Sequence, residues 1–172
     1  DLVEQDGTSY LVFDKTPFYA EMGGQVGDSG TAFIADQTIP IVNVLKDGSG
    51  RFLHALKSTP PSADLSGEKV ILNVHSERRK AIQRHHTATH ILHWALRNVL
   101  GEHIRQAGSL VEPDRLRFDF SHYEGIKPKQ IEEIENISNK KLLLNDHLEA
   151  YEVPFSEKPE EVIAFFDEKY GD

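Results

Sequence analysis

His86 and His90 stand four apart in the run Arg84-His85-His86-Thr87-Ala88-Thr89-His90. On a helix, residues four apart project from one face, so both imidazoles could reach a single ion. Imidazole is a good zinc donor, and helical zinc motifs use this spacing. A zinc peptidase of this type places Glu directly after the first His as general base. Here that position is Thr87, which argues against peptide hydrolysis. With nine His in 172 residues, a pair at this spacing specifies little by itself. His85 and His93 read as partners of local hydrogen bonds or as surface groups. The chain holds no Cys, so a disulfide framework is excluded and a metal site must use His, Asp, Glu or ligands from elsewhere. The same absence fits a reducing, cytoplasmic setting.

Such a pair needs a long helix, and the sequence offers one after about residue 76. Ser76 reads as its cap, with Glu77 in the first turn. Apolar residues follow at helical spacing through Ala81, Ile82, Ile91, Leu92, Ala95, Leu96 and Val99, and Gly101 is the stop. Trp94 and its apolar neighbours read as core. Before the helix, the pattern is that of short strands: Tyr10–Phe13, Thr31–Ile34, Ile39–Leu45, Arg51–Leu56 and Lys69–Val74. Turn residues separate them at Asp28-Ser29-Gly30, 46–50 and 64–67. Gly23-Gly24-Gln25 lies in a loop too long for a tight hairpin. Strands resume at Ser109–Val111 and Arg115–Phe120. A helix after Pro128 carries Ile131, Ile134, Ile137 and Leu142 on one face, and a strand over 148–153 and a short helix over 159–166 follow. The expected architecture is α+β. A small N-terminal β-barrel with its Gly-rich loop occupies 1–75, and an α+β domain with a long helix packed on an antiparallel sheet occupies 76–172.

Hydrophobic residues make up 38 % of the chain, enough for a core. No apolar run approaches the roughly 18 residues of a membrane span. The first residue is Asp1, with no basic-then-apolar leader, so the expectation is a piece of something longer rather than a secreted precursor. The net charge of -9 disfavours bulk electrostatic attraction to nucleic acid, which needs Lys and Arg. The acidic runs Glu132-Glu133-Ile134-Glu135 and Glu160-Glu161 read as solvated faces.

Three motifs occur in order: Phe18-Tyr19-Ala20-Glu21-Met22-Gly23-Gly24-Gln25, His86-Thr87-Ala88-Thr89-His90, and Gln106-Ala107-Gly108-Ser109-Leu110-Val111 with Arg117-Phe118-Asp119-Phe120-Ser121-His122. This series resembles the editing region of alanyl-tRNA synthetase over about residues 10 to 172. Free-standing alanyl-tRNA editing proteins and the threonyl-tRNA synthetase editing domain share part of it. The resemblance implies hydrolysis of tRNA(Ala) mischarged with serine or glycine, at a Zn²⁺ held by four ligands. Two of them would be His86 and His90. The other two, a Cys-x3-His pair, are expected beyond Asp172, leaving this chain impaired by itself. By the same resemblance, the hydroxyls of Thr87 and Thr89 sense a serine side chain, Gln106 lines the pocket, and Gly108 lets the backbone approach the substrate. Gly23, Gly24 and Gln25 form the loop that shapes specificity toward the tRNA acceptor end. The ATP-using domain would lie elsewhere in the parent synthetase, since no ATP-binding motif is present.

Plainer readings stand beside these. Threonines inside a helix often bond the preceding turn, Gly108 could serve a simple turn, and Asp119 and His122 could end a strand. At the level of the molecule, the alternatives are a free-standing trans-editing deacylase and a noncatalytic tRNA-binding module.

Overall fold

Asp6 and Gly7 both take positive φ, 51° and 76°, the left-handed pair that a two-residue hairpin turn demands. They join β1 (Leu2–Gln5) to β2 (Thr8–Leu11), with Gln5 opposite Thr8 and Leu2 opposite Leu11. Ala35 and Asp36, at φ 46° and 58°, do the same between β3 (Gly30–Ile34) and β4 (Gln37–Lys46). Between β4 and β5 (Phe52–Leu56) the loop is folded around one carboxylate. Asp47 Oδ1 accepts the amides of Ser49 and Arg51, both at 2.9 Å, and the Ser49 hydroxyl at 2.7 Å. The Ser49 hydroxyl, then the Arg51 amide and guanidinium, hold that carboxyl well below the usual carboxylate range.

The computed structural model describes residues 1–58, 67–147 and Pro154. The strand expected over 148–153 and the helix over 159–166 lie outside the described residues. Among the described residues the fold is mixed α/β, with two helices. Its larger sheet has the order β1-β2-β5-β4-β3-β6, where β6 is Ile71–Val74, and every pairing is antiparallel. Among the described residues no pairing joins the edge strands β1 and β6, so the small barrel expected from the sequence is not seen closed among them. The expected turn at Asp28-Ser29-Gly30 is also corrected. Asp28 is a buried anchor, and Gly30 already belongs to β3.

The chain divides into two compact units, residues 1–86 with 110–116, and 87–109 with 117–172. In the first, Leu11, Phe18, Ala32, Ile34, Ile41, Val44 and Leu56 form the main core. Tyr10, Leu53 and Ala55 form a second cluster. Successive residues of β5 thus serve opposite faces, as the pleat requires.

Helix α1 (Ser76–Leu100) contributes to both units. Its cap is His75 rather than Ser76: His75 Nδ1 accepts the Arg78 amide at 3.2 Å and the His75 carbonyl accepts the Arg79 amide. Gly101, at φ 119°, follows the last turn. In the second unit, Ala95, Leu96, Ile104 and Ile134 are buried among Leu92, Val99, Phe118 and Phe120. These come from α1, from Ile104 in the connection after it, from β8 (Leu116–Phe120), which pairs with β7 (Gln106–Val111), and from α2 (Pro128–Leu144). Pro128 opens α2, and the Lys127 amide donates to Gln130 Oε1 at 2.9 Å. Of the face expected on α2, Ile134 and Ile137 pack, whereas Ile131 and Leu142 are exposed. Trp94 is likewise 40 % exposed, because residues 92, 95, 96 and 99 already make the inward stripe.

Candidate functional site

The Gly-rich loop between β2 and β3 is bound to the first turns of α1. Asp28 is buried; its carboxylate accepts the Tyr19 amide at 2.6 Å and forms an ion pair with Arg79. Arg79 Nη2 also donates to the Pro17 carbonyl at 2.6 Å, and Arg78 Nη1 donates to the Gly27 carbonyl at 2.7 Å. A side chain at Gly27 would stand 2.5 Å from the Val44 carbonyl oxygen, so only glycine lets the loop lie against β4 here. Gly23 and Gly24 take φ 60° and 83°, which lets the chain reverse before Gln25. Gln25 exchanges backbone hydrogen bonds with Met22 at 3.0 and 3.2 Å. On its two sides the Val111 amide donates to the Gly24 carbonyl at 2.8 Å, and the Val26 amide donates to the Val111 carbonyl at 3.1 Å.

From this support the Gln25 side chain meets His86, with Oε1 2.6 Å from Nδ1. Gln25, the Gly-rich loop, His86 and Val111 all belong to the first unit. His85 is tied locally, Nδ1 lying 2.7 Å from the Glu112 carbonyl oxygen.

Thr87, Thr89, His90, Gln106 and Gly108 belong to the second unit. Thr89 is buried, and Thr87 and His90 are half-buried on α1. On β7, Gln106 Nε2 donates to Ser109 Oγ at 3.1 Å. Its Oε1 is buried with no hydrogen-bond partner among the described residues. The place of a side chain at Gly108 is taken by Asp119, whose Oδ2 would lie 2.9 Å from a Cβ there. Asp119 in turn accepts from Arg117 Nε at 3.1 Å. His122 Nδ1 is paired with His103 Nε2 at 2.9 Å, and Tyr123 stacks on His103.

Burial pushes the His86, His93 and His54 imidazoles below the ordinary value, which favours their neutral forms. Of the two readings of His93, the local hydrogen-bond partner holds and the surface group does not: it is hydrogen-bonded to the Ile104 backbone and buried beside the Phe118 ring, centroid to centroid 5.0 Å. His54, Asp28 and Arg79 were not singled out from the sequence. His54 is fully buried, with Nδ1 3.0 Å from the Leu11 carbonyl and Nε2 2.7 Å from Thr16 Oγ1. The one available cue was a lone His inside the apolar run Phe52-Leu53-His54-Ala55-Leu56.

Among the described residues, no group of three or more His, Asp or Glu is arranged to hold a metal ion. No helix among them is long and apolar enough to cross a membrane.

A sequence model of the family described as tRNA synthetases class II (A) matches residues 1–78. Similarity to alanine–tRNA ligases runs further, through α1, β7 and β8. The ligase of Opitutus terrae is 51 % identical over 99 % of this chain and 19 % of its own length. That of Methylacidiphilum infernorum is 47 % identical over 93 % of this chain and 17 % of its own. That of Thermotoga petrophila is 46 % identical over 94 % and 19 %. The chain belongs to the alanyl-tRNA synthetase family, and it spans less than a fifth of the length of these relatives.

Proposed function

We propose that this chain carries part of the site with which an alanyl-tRNA synthetase hydrolyses tRNA(Ala) mischarged with serine or glycine. A synthetic pocket separates substrates differing by one methylene-sized group by only about 1–3 kcal/mol. A second, hydrolytic site can supply the missing discrimination. The observation that carries the reading is Gln106 Oε1, a buried acceptor without a partner among the described residues. Leaving such an atom desolvated costs about 1–3 kcal/mol, a cost that is offset when a ligand brings a donor. The hydroxyl of a seryl ester is such a donor. Thr87 and Thr89, on α1, are the further hydroxyl contacts in this reading.

His86 and His90 would hold Zn²⁺. They fit that role: both are imidazoles on one face of a single helix, and burial favours the neutral, ligating form of His86. The Cys-x3-His half of the family's ligand set has no counterpart in a sequence without Cys. When bound, zinc supplies a Lewis acid that either activates water or orients the substrate's amino group. In the reaction, a water oxygen bonds to the ester carbonyl carbon and the bond to the 3′-terminal ribose oxygen breaks, that oxygen leaving with a proton. Gly23, Gly24 and Gln25 belong to the loop that shapes specificity at the acceptor end of tRNA(Ala). With a net charge of -9, most phosphate contacts come from other parts of the synthetase.

The test is deacylation of seryl-tRNA(Ala) by the full-length synthetase with His86→Ala and His90→Ala together. Loss of a Lewis acid worth several kcal/mol predicts a fall of at least about 100-fold, with alanine charging retained. Wild-type deacylation in that variant rejects the assignment.

A further inference from the structure

We infer that Gln25 is a positioning residue for His86: its amide oxygen fixes the ring as the Nδ1–H tautomer and directs the Nε2 lone pair to the metal. The inference rests on the editing reading for its consequence, but its geometry is independent of that reading. Gln25 Oε1 lies 2.6 Å from His86 Nδ1. An amide oxygen can only accept, so the hydrogen must be on Nδ1. A neutral imidazole carries one N–H, which leaves the lone pair on Nε2. In water the opposite tautomer, with the hydrogen on Nε2, is intrinsically preferred. The contact therefore selects the form that is less populated without it.

Gln25 can hold this position because its own main chain is fixed. Backbone hydrogen bonds with Met22, one from the Val111 amide to the Gly24 carbonyl and one from the Val26 amide to the Val111 carbonyl clamp the loop on both sides of it. The residue is only 9 % exposed, which restricts the amide's freedom to turn elsewhere. None of those clamping bonds uses the Gln25 side chain, so a substitution there removes the ring contact and leaves the loop's frame. Metal-binding His residues generally donate their second ring N–H to a carbonyl or carboxylate, and loss of that partner costs about 10–100-fold in metal affinity. The Gly-rich loop thereby gains a role distinct from substrate contact: it supplies the acceptor that orients a ligand located 61 residues further along the chain.

The experiment has two readouts. Nitrogen-15 NMR of the His86 ring in this chain, at a pH where it is neutral, reports which nitrogen carries hydrogen. Wild type is expected to show Nδ1–H, Gln25→Ala to move toward Nε2–H, and Gln25→Glu, which keeps an acceptor, to retain Nδ1–H. A wild-type ring protonated on Nε2, or a Gln25→Ala ring unchanged from wild type, overturns the inference. Should Gln25→Ala fail to fold, the wild-type and Gln25→Glu spectra still decide it. The second readout is zinc affinity of the full-length synthetase by competition with a chromogenic chelator. Gln25→Ala is expected to bind about 10–100-fold more weakly, and Gln25→Glu at least as tightly as wild type. Equal affinity in wild type and Gln25→Ala overturns the metal-directing role. A wild-type synthetase that binds no zinc here, with the Nδ1–H tautomer intact, sinks the editing reading but leaves the Gln25–His86 assignment standing.

Discussion

His54 shows how one side chain can couple a sheet to the loop that follows it. Its ring joins the Leu11 carbonyl at 3.0 Å to Thr16 Oγ1 at 2.7 Å, and that same hydroxyl oxygen accepts the Phe18 amide at 3.1 Å. The rings of Phe13 and Phe18 stand edge-on to it. A neutral ring satisfies both contacts, donating at Nδ1 and accepting at Nε2, whereas a charged ring has no acceptor for the threonine hydroxyl. Burial lowers its pKa in the folded state, so between the folded and unfolded values the unfolded chain binds the extra proton. Its contribution to stability is therefore complete above the ordinary value of 6.5 and is lost as pH falls from there through the folded pKa. We predict that thermal unfolding of the chain shifts to lower temperature on acidification from pH 7.5 to 5. In His54→Asn, which cannot charge, that shift should be smaller. An equal acid shift in both proteins refutes the assignment. Little of this was legible in the sequence, because a His within an apolar strand does not reveal which carbonyl and hydroxyl the fold will bring to it.

Between the Gly-rich loop and α1, the stabilising unit is a buried carboxylate and the first helical turns. Asp28 is almost fully buried, so removal of Arg79 leaves its charge without its cationic partner. Loss of one partner of a buried pair costs about 3–5 kcal/mol; because the Arg79 side chain is 30 % exposed, the lower end applies. Arg79→Ala is thus expected to destabilise the chain by about 3 kcal/mol in urea unfolding and to speed hydrogen exchange of the Tyr19 amide, which Asp28 holds. Gly27→Ala should cost about 1–3 kcal/mol by overpacking against Val44 and Asn43. An unchanged unfolding midpoint in either variant contradicts the packing described. At this scale the sequence was informative where a signal is local. The helical spacing of Leu92, Ala95, Leu96 and Val99 located the inner face of α1, and Pro128 located the start of α2. Asp6-Gly7 is a hairpin signal of the same kind, but β1 shows no apolar alternation, Leu2 and Val3 being adjacent and Glu4 and Gln5 polar, so the strand before that turn is not legible. Asp28, by contrast, has the composition of a turn and the environment of a core. Only the arginines 50 and 51 positions later decide between these, and no local pattern connects them.

For the whole molecule, the decisive fact is that three motifs far apart in the sequence are joined by hydrogen bonds in the fold. The fold brings Gln25 to His86 and Val111 to the Gly-rich loop, residues that lie 61 or more positions apart in the sequence. The His-x3-His spacing was readable because a helix converts four residues into one face. The acceptor that orients His86 was not, since it lies 61 residues upstream. The same reasoning bounds what this chain can do alone. Two imidazoles provide half of the four ligands of a structural or catalytic zinc site, and affinity falls steeply as ligands are removed. We therefore expect the 172-residue chain to bind zinc at least about 100-fold more weakly than the full-length synthetase, and to hydrolyse seryl-tRNA(Ala) far more slowly at equal molarity. The full-length protein with both His86 and His90 replaced by Ala should fall to the level of the isolated chain in both measurements. Tight zinc binding by the isolated chain would require a third and fourth ligand within these residues. No such group exists among the described residues, so that outcome would relocate the metal site rather than adjust it.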